Sequence, residues 1–209
     1  FCFYATNNNT GAKKYLSRVE NSEKYGSQAK YYIGYMAYEG DDYERASEYF
    51  DQIGDNEKYK EGLSYYQADL NFKLGNFEKA ITLAKEQLPK NDKKEVSELS
   101  KIIGESYFNL EQYAEAIPFL ADYKGERGRW NNTDYYQLGY AYYKQKEYDK
   151  AISEFNKIID GNNSVAQNAY YHLGESYINV KKKQEALNAF RNASQMDYDF
   201  KIQEDAWLN

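Results

Sequence analysis

The sequence has one cysteine, one histidine and two prolines in 209 residues. A single thiol, Cys2, rules out an internal disulfide and carries no redox address. With His172 as the only histidine and no second usable cysteine, zinc sites and histidine-dependent triads lack their parts. His172 lies beside Leu173 and Gly174 at helical spacing and reads as a packed or partly exposed side chain rather than a base or ligand. The scarcity of proline, Pro89 and Pro118 alone, suits a nearly all-helical chain. No apolar run approaches the roughly 18 residues a membrane span needs. No glycine-rich phosphate loop is present, since the glycines fall at turns and at recurring positions inside helical segments. A net charge of −6 argues against a nucleic-acid partner, because phosphate binding needs a cationic surface. No catalytic residues, cofactor or metal are expected, and the protein reads as a non-enzyme.

What is abundant is tyrosine, 25 residues, and a periodic pattern of small residues. In the stretch Asp134 to Phe155, Gly139 stands twelve residues before Ala151, and Phe155 follows four later. Residues four apart share a helix face, so this is two amphipathic helices broken at Gln145 to Glu147. The spacing of twelve recurs as Gly34/Ala46, Ala68/Ala80, Gly104/Ala116 and Gly174/Ala186. Four beyond each second member come Phe50, Ala84, Leu120, Phe155 and Phe190. Successive small residues are 34, 36, 35 and 35 apart, from 34 to 68, 104, 139 and 174. Small residues let two helix backbones approach, and the large residue fills the space beside them.

This pattern, most complete as Leu138-Gly139, Tyr142, Ala151 and Phe155, resembles the tetratricopeptide repeat (TPR). The resemblance implies an all-α, right-handed α-α superhelix of antiparallel helix pairs, each pair an A and a B helix. It divides the chain into residues 1–26 as the end of a preceding repeat, then 27–54, 55–90, 91–130, 131–161 and 162–197 as repeats 1 to 5. Residues 198–209 are the first helix of a further repeat, all in one continuous domain. Phe1 to Tyr4 would close a helix, with Asn7 to Asn9 as its turn. The half-repeats at both ends lead us to expect further sequence, and open ends that permit self-association. Asp55 or Asn56, Asn91 or Asp92, Asn131 to Thr133, and Asn162 to Ser164 are candidate N-caps of the A helices. Pro118, two residues after Ala116, predicts a kink or shortening of its helix. Lys124 to Arg129 reads as a solvated, glycine-containing connector.

In TPR proteins partner segments lie in a concave groove, on A-helix positions three before, one after and four after the small residue. Those offsets form one helix stripe. Here they are Tyr31, Tyr35 and Tyr38; Tyr65, Asp69 and Phe72; Lys101, Glu105 and Phe108; Tyr136, Tyr140 and Tyr143; Tyr171, Glu175 and Ile178. Ten of the fifteen are aromatic, against 18% of the chain, which marks the stripe as a recognition surface or as inter-repeat packing. With Asp69, Glu105 and Glu175 it would favour a protein or peptide segment bearing apolar and basic side chains. Tyr140→Ala or Asp69→Ala is then expected to weaken binding with little effect on melting. The clamp by which one TPR subclass holds C-terminal carboxylates is absent, since its places carry Tyr31, Tyr35, Tyr65 and Asp69. The first reading is a non-catalytic interaction scaffold. The alternatives are a glycan- or peptidoglycan-binding module using the same groove, and a structural spacer. Its tyrosine and asparagine content resembles bacterial members, including envelope lipoproteins, leaving the compartment open with a lean toward the bacterial envelope or periplasm.

Overall fold

A computed structural model describes residues 9–54, 56–90, 93–158 and 161–209. These fall into two compact units, residues 1–91 and 92–209, divided at the junction expected between repeats 2 and 3. Phe1 to Tyr4 and the caps proposed at Asp55, Asn91 and Asp92 lie outside the described residues. So does the turn at Asn7 to Asn9, save for Asn9.

In the first unit α1 (Asn9–Leu16) precedes two helix pairs, α2 (Gly26–Tyr38) with α3 (Tyr43–Asp51) and α4 (Glu57–Lys73) with α5 (Phe77–Gln87). A 3-10 turn, Leu88–Lys90, ends α5 at Pro89. The second unit holds α6 (Lys93–Asn109) with α7 (Tyr113–Asp122), α8 (Asn132–Lys144) with α9 (Tyr148–Phe155) and α10 (Ser164–Asn179) with α11 (Lys183–Ser194). A last helix, α12 (Phe200–Leu208), packs on α10 and α11.

Each pair crosses at its small residue. A Cβ added to Gly34, Gly139 or Gly174 would come within 2.6, 2.8 and 2.7 Å of the rings of Phe50, Phe155 and Phe190. At Gly104 it would meet Leu120 at 2.9 Å. The second repeat reaches the same volume differently, with Ala68 and Ala84 both fully buried. Its departure from the pattern is therefore a compensated pair, as a close-packed interior requires.

Every A helix ends in one turn type. The residue seven after the small one is left-handed in all five repeats: Asp41, Gly75, Glu111, Lys146 and Lys181, with φ between 58° and 77°. The next amide donates back five residues, from Asp42 to Ala37, Asn76 to Asn71, Gln112 to Tyr107, Glu147 to Tyr142 and Lys182 to Tyr177, at 2.8 to 2.9 Å. This is the Schellman closure, which satisfies carbonyls a helix end leaves open. The B helix starts at once, and its N-cap side chains make no cap bond. A helices that follow a longer connection are capped instead by Asn56, Asn131 and Asn163, and α12 by Asp199. Asn131 forms a full capping box with Asp134.

The shortening expected at Pro118 does not occur. Helix α7 spans 10 residues, beside 8 to 12 in the other B helices. Pro118 and Ala114, whose carbonyl loses its partner, are both exposed, on the side of the helix where solvent can satisfy such an oxygen.

Candidate partner-binding site

The stripe positions do fall on the A helices, and the structure shows what holds each ring. In four repeats the side chain four after the small residue packs against the first residue of the following B helix. The pairs are Tyr38/Tyr43, Phe72/Phe77, Phe108/Tyr113 and Tyr143/Tyr148, with ring centroids 5.5 to 6.2 Å apart. The fifth pair is Ile178 and Lys183, which lacks that ring, and Ile178 is half exposed.

Between repeats of one unit a further residue enters, two before the small residue of the later repeat. In the first unit this is Tyr66. It lies 5.5 Å from Tyr35 and 5.1 Å from Tyr38, edge to face, and 5.8 Å from Tyr65. The Tyr38 hydroxyl donates to the Asp69 carboxylate at 2.5 Å. Burial first, and then that hydrogen bond and charge, hold the Tyr38 phenol far above the ordinary tyrosine range. Asp69 also pairs with Lys73 at 3.8 Å. Tyr31 stacks on Tyr59 at 5.3 Å.

In the second unit the corresponding residue is His172. Its ring is 4.9 Å from Tyr140, 5.0 Å from Tyr143 and 5.3 Å from Tyr171, and Tyr136 stacks on Tyr140 at 5.7 Å. Its Nδ1 lies 2.8 Å from Glu175. Burial and the charge of Glu175 hold the Tyr143 phenol above its usual range. The packed reading of His172 therefore stands, but at the centre of the aromatic stripe. Sequence reasoning missed this position. Its signal was the ring recurring two before the small residue, as Tyr32, Tyr66 and His172.

The stripe at the junction of repeats 3 and 4 adds an ion-pair cluster to its aromatic contacts. Lys101 pairs with Asp134 at 3.5 Å and Glu105 at 4.0 Å, and its ammonium lies 4.7 Å from the Tyr123 ring. Phe108 meets Tyr140 at 5.8 Å. Gln137 takes the place of the central ring, and its Oε1 is buried without a hydrogen-bond partner.

These contacts change the reading of Tyr140. It touches Phe108, Tyr113, Tyr136, Tyr143 and His172, so truncation removes packing as well as surface. The expectation that Tyr140→Ala leaves melting almost unchanged is withdrawn on that ground.

Among the described residues no cluster of His, Cys, Asp and Glu is placed to hold a metal ion, and no helix is long and apolar enough to cross a membrane.

Stacked helix pairs joined by a left-handed turn, with a small residue at each crossing, define the class: an all-α repeat protein of paired helices. The chain has the fold of tetratricopeptide-repeat proteins, and its family-model matches agree with that fold. The family model described as tetratricopeptide repeat matches residues 28–57. That described as anaphase-promoting complex, cyclosome, subunit 3 matches residues 118–193. No curated protein matches the chain. Among solved structures it is similar in fold to YrrB, described as a TPR protein with an unusual peptide-binding site. The two share 17% identity with TM-score 0.74, over 93% of this chain and 98% of that one. It is also similar to MamA AMB-1, at 19% identity and TM-score 0.71, over 84% and 93% of the two chains. MamA 41-end from Desulfovibrio magneticus RS-1 gives 20% identity and TM-score 0.63, over 81% and 94%.

Proposed function

We propose that the protein is a non-catalytic scaffold whose A-helix stripe binds an extended or helical segment of a protein partner. The observation that carries this reading is the pre-ordering of the stripe. Its tyrosines are only part-buried, yet each is held by rings of its own or a neighbouring repeat. A surface already ordered loses little side-chain entropy on binding, which is what makes rigid aromatic anchors effective. The stripe carboxylates Asp69, Glu105 and Glu175 favour a segment with basic as well as apolar side chains. The peptide-binding site named for YrrB agrees with a peptide rather than a small-molecule ligand.

The test uses two stripe positions, one in each unit. Ile178→Glu alters a half-exposed side chain, and Tyr65→Ser removes a part-buried stripe ring that lies 5.8 Å from Tyr66. The purified chain and this double variant are probed with an array of basic-apolar peptides and with glycan oligosaccharides. We expect basic-apolar peptides to bind, with at least a tenfold loss in a variant that melts normally. Equal capture by both proteins would sink the stripe as a binding surface and leave a spacer. Saturable glycan binding lost in the variant would replace the peptide reading.

A further inference from the structure

The connector from α7 to α8 is more than solvated chain. Gly125 and Gly128 take φ of +83° and +77°, and Arg127 +53°. A Cβ on Gly125 would sit 2.4 Å from the Arg129 carbonyl and 2.8 Å from the Trp130 ring. Glu126 and Arg129 bridge as a minimal hairpin. The hairpin is tied at both ends. The Lys124 amide donates to Ser97 Oγ at 2.9 Å, and the Trp130 indole N–H to the Tyr123 carbonyl at 2.7 Å. Trp130 is half-buried, with Tyr135 5.2 Å away, and it cannot turn without giving up that indole bond.

Within the second unit this hairpin walls a cleft of about 690 Å³ whose lining includes Arg129, Trp130, Tyr135, Tyr142, Glu154 and Lys157. That volume lies in the range of ligand sites, roughly 300 to 1,000 Å³. The lining comes from offsets other than the stripe positions, so the cleft is not part of the proposed groove.

Its charge runs against the rest of the chain. The protein carries −6 overall, yet the cleft lining holds two cations, Arg129 and Lys157, against one carboxylate, Glu154. Lys157 is already neutralised, its ammonium donating to the two Glu154 oxygens at 2.8 and 2.7 Å. The Arg129 guanidinium is exposed and pairs with no carboxylate among the described residues. A planar guanidinium fork beside a fixed indole suits a carboxylate carried next to a bulky apolar group.

We propose that this cleft is a second binding site, which takes an acidic peptide segment. An aromatic or large aliphatic side chain enters between Trp130 and Tyr142, and a neighbouring Asp or Glu carboxylate meets Arg129. A basic segment of the kind suited to the A-helix stripe is repelled here. The two sites therefore select opposite charges.

The cleft holds one of the chain's two tryptophans, so Trp207→Phe leaves Trp130 as the sole reporter. The full chain in that background is titrated with an acetylated, amidated peptide Gly-Asp-Phe-Asp-Gly and with its counterpart bearing Lys in place of Asp. We expect a saturable change in Trp130 emission with the acidic peptide and none with the basic one. Arg129→Glu should weaken binding at least tenfold with an unchanged melting curve, and Arg129→Lys should weaken it less. No saturation up to on the order of 1 mM overturns the site. Equal binding of the two peptides, or undiminished binding by Arg129→Glu, overturns the charge selection on which the proposal rests.

Discussion

The two units build the same clasp from different chemistry. In the first, Tyr35 and Tyr38 enclose Tyr66, and the Tyr38 hydroxyl is bonded to Asp69. In the second, Tyr140 and Tyr143 enclose His172, and Glu175 serves both the Tyr143 phenol and the imidazole. Position for position these are the same offsets of the repeat. The difference teaches that geometry is set by the crossing of the helices, while the central side chain needs only to be flat and about the right size. A second lesson concerns redundancy. Asp69 answers to one aromatic partner and one lysine, whereas Glu175 is shared with a histidine it holds in place.

The largest effect should come from emptying the centre of each clasp. Tyr66→Ala removes a ring that meets Tyr35, Tyr38, Tyr65 and Phe50 and should cost about 3 kcal/mol in urea unfolding, the low end for aromatic truncation in a core. His172→Ala should cost a similar amount, and His172→Phe, which keeps a flat ring, about 1 kcal/mol. A costly Tyr66→Ala beside a harmless His172→Ala would end the equivalence of the two clasps.

Next come the hydroxyls. Tyr38→Phe strips Asp69 of a charge-assisted hydrogen bond and should cost about 2 kcal/mol. Tyr143→Phe should cost about 1 kcal/mol, because His172 still meets Glu175. The reverse order in denaturation experiments would show that the redundancy is not real.

Alkaline pH should weaken both units. The folded phenols of Tyr38, Tyr136 and Tyr143 are held above the ordinary value, chiefly by burial, and Tyr113 is pushed up to about 12 by burial and then Tyr140. A raised folded pKa means that the unfolded chain releases its protons first. Stability is then fully present below about pH 10 and falls as pH rises past it, by up to about 1.4 kcal/mol per pH unit for each such tyrosine. Tyr38→Phe should flatten that fall, as followed by circular dichroism melts from pH 8 to 12. An unchanged pH profile would assign the loss to other groups.

The smallest effect is a gain. The first unit has glycine at one of its two left-handed turn positions, Gly75, and the second unit has none at its three. Lys146→Gly or Glu111→Gly removes a left-handed strain of about 1 kcal/mol, so the melting temperature should rise by a few degrees. Gly75→Lys should lower it by a like amount. A fall on both exchanges would mean that these side chains contribute more than the strain they carry.

Much of the fold was legible in the sequence because it rests on spacing. Gly139, Ala151 and Phe155 recur at fixed intervals, and a helix converts fixed intervals into a fixed face. That periodicity determined the helix pairs, their turns and the stripe on the A helices, and scarce histidine and cysteine bounded the chemistry. Other features needed the folded chain. Ala68 and Ala84 depart from the glycine-and-aromatic pattern, and only the folded chain shows both fully buried. The left-handed residue fell on Asp41 rather than the adjacent Gly40, since the Schellman closure counts residues from the helix end and not from the nearest glycine. His172 and Tyr66 entered the stripe only when a neighbouring repeat brought Tyr140 and Tyr35 against them. The hairpin at Gly125 to Arg129 became a wall only through Ser97, 27 residues before the amide it holds. Local spacing is written in the chain one residue after another, whereas contacts between repeats depend on helices meeting in space, and only tertiary structure decides those.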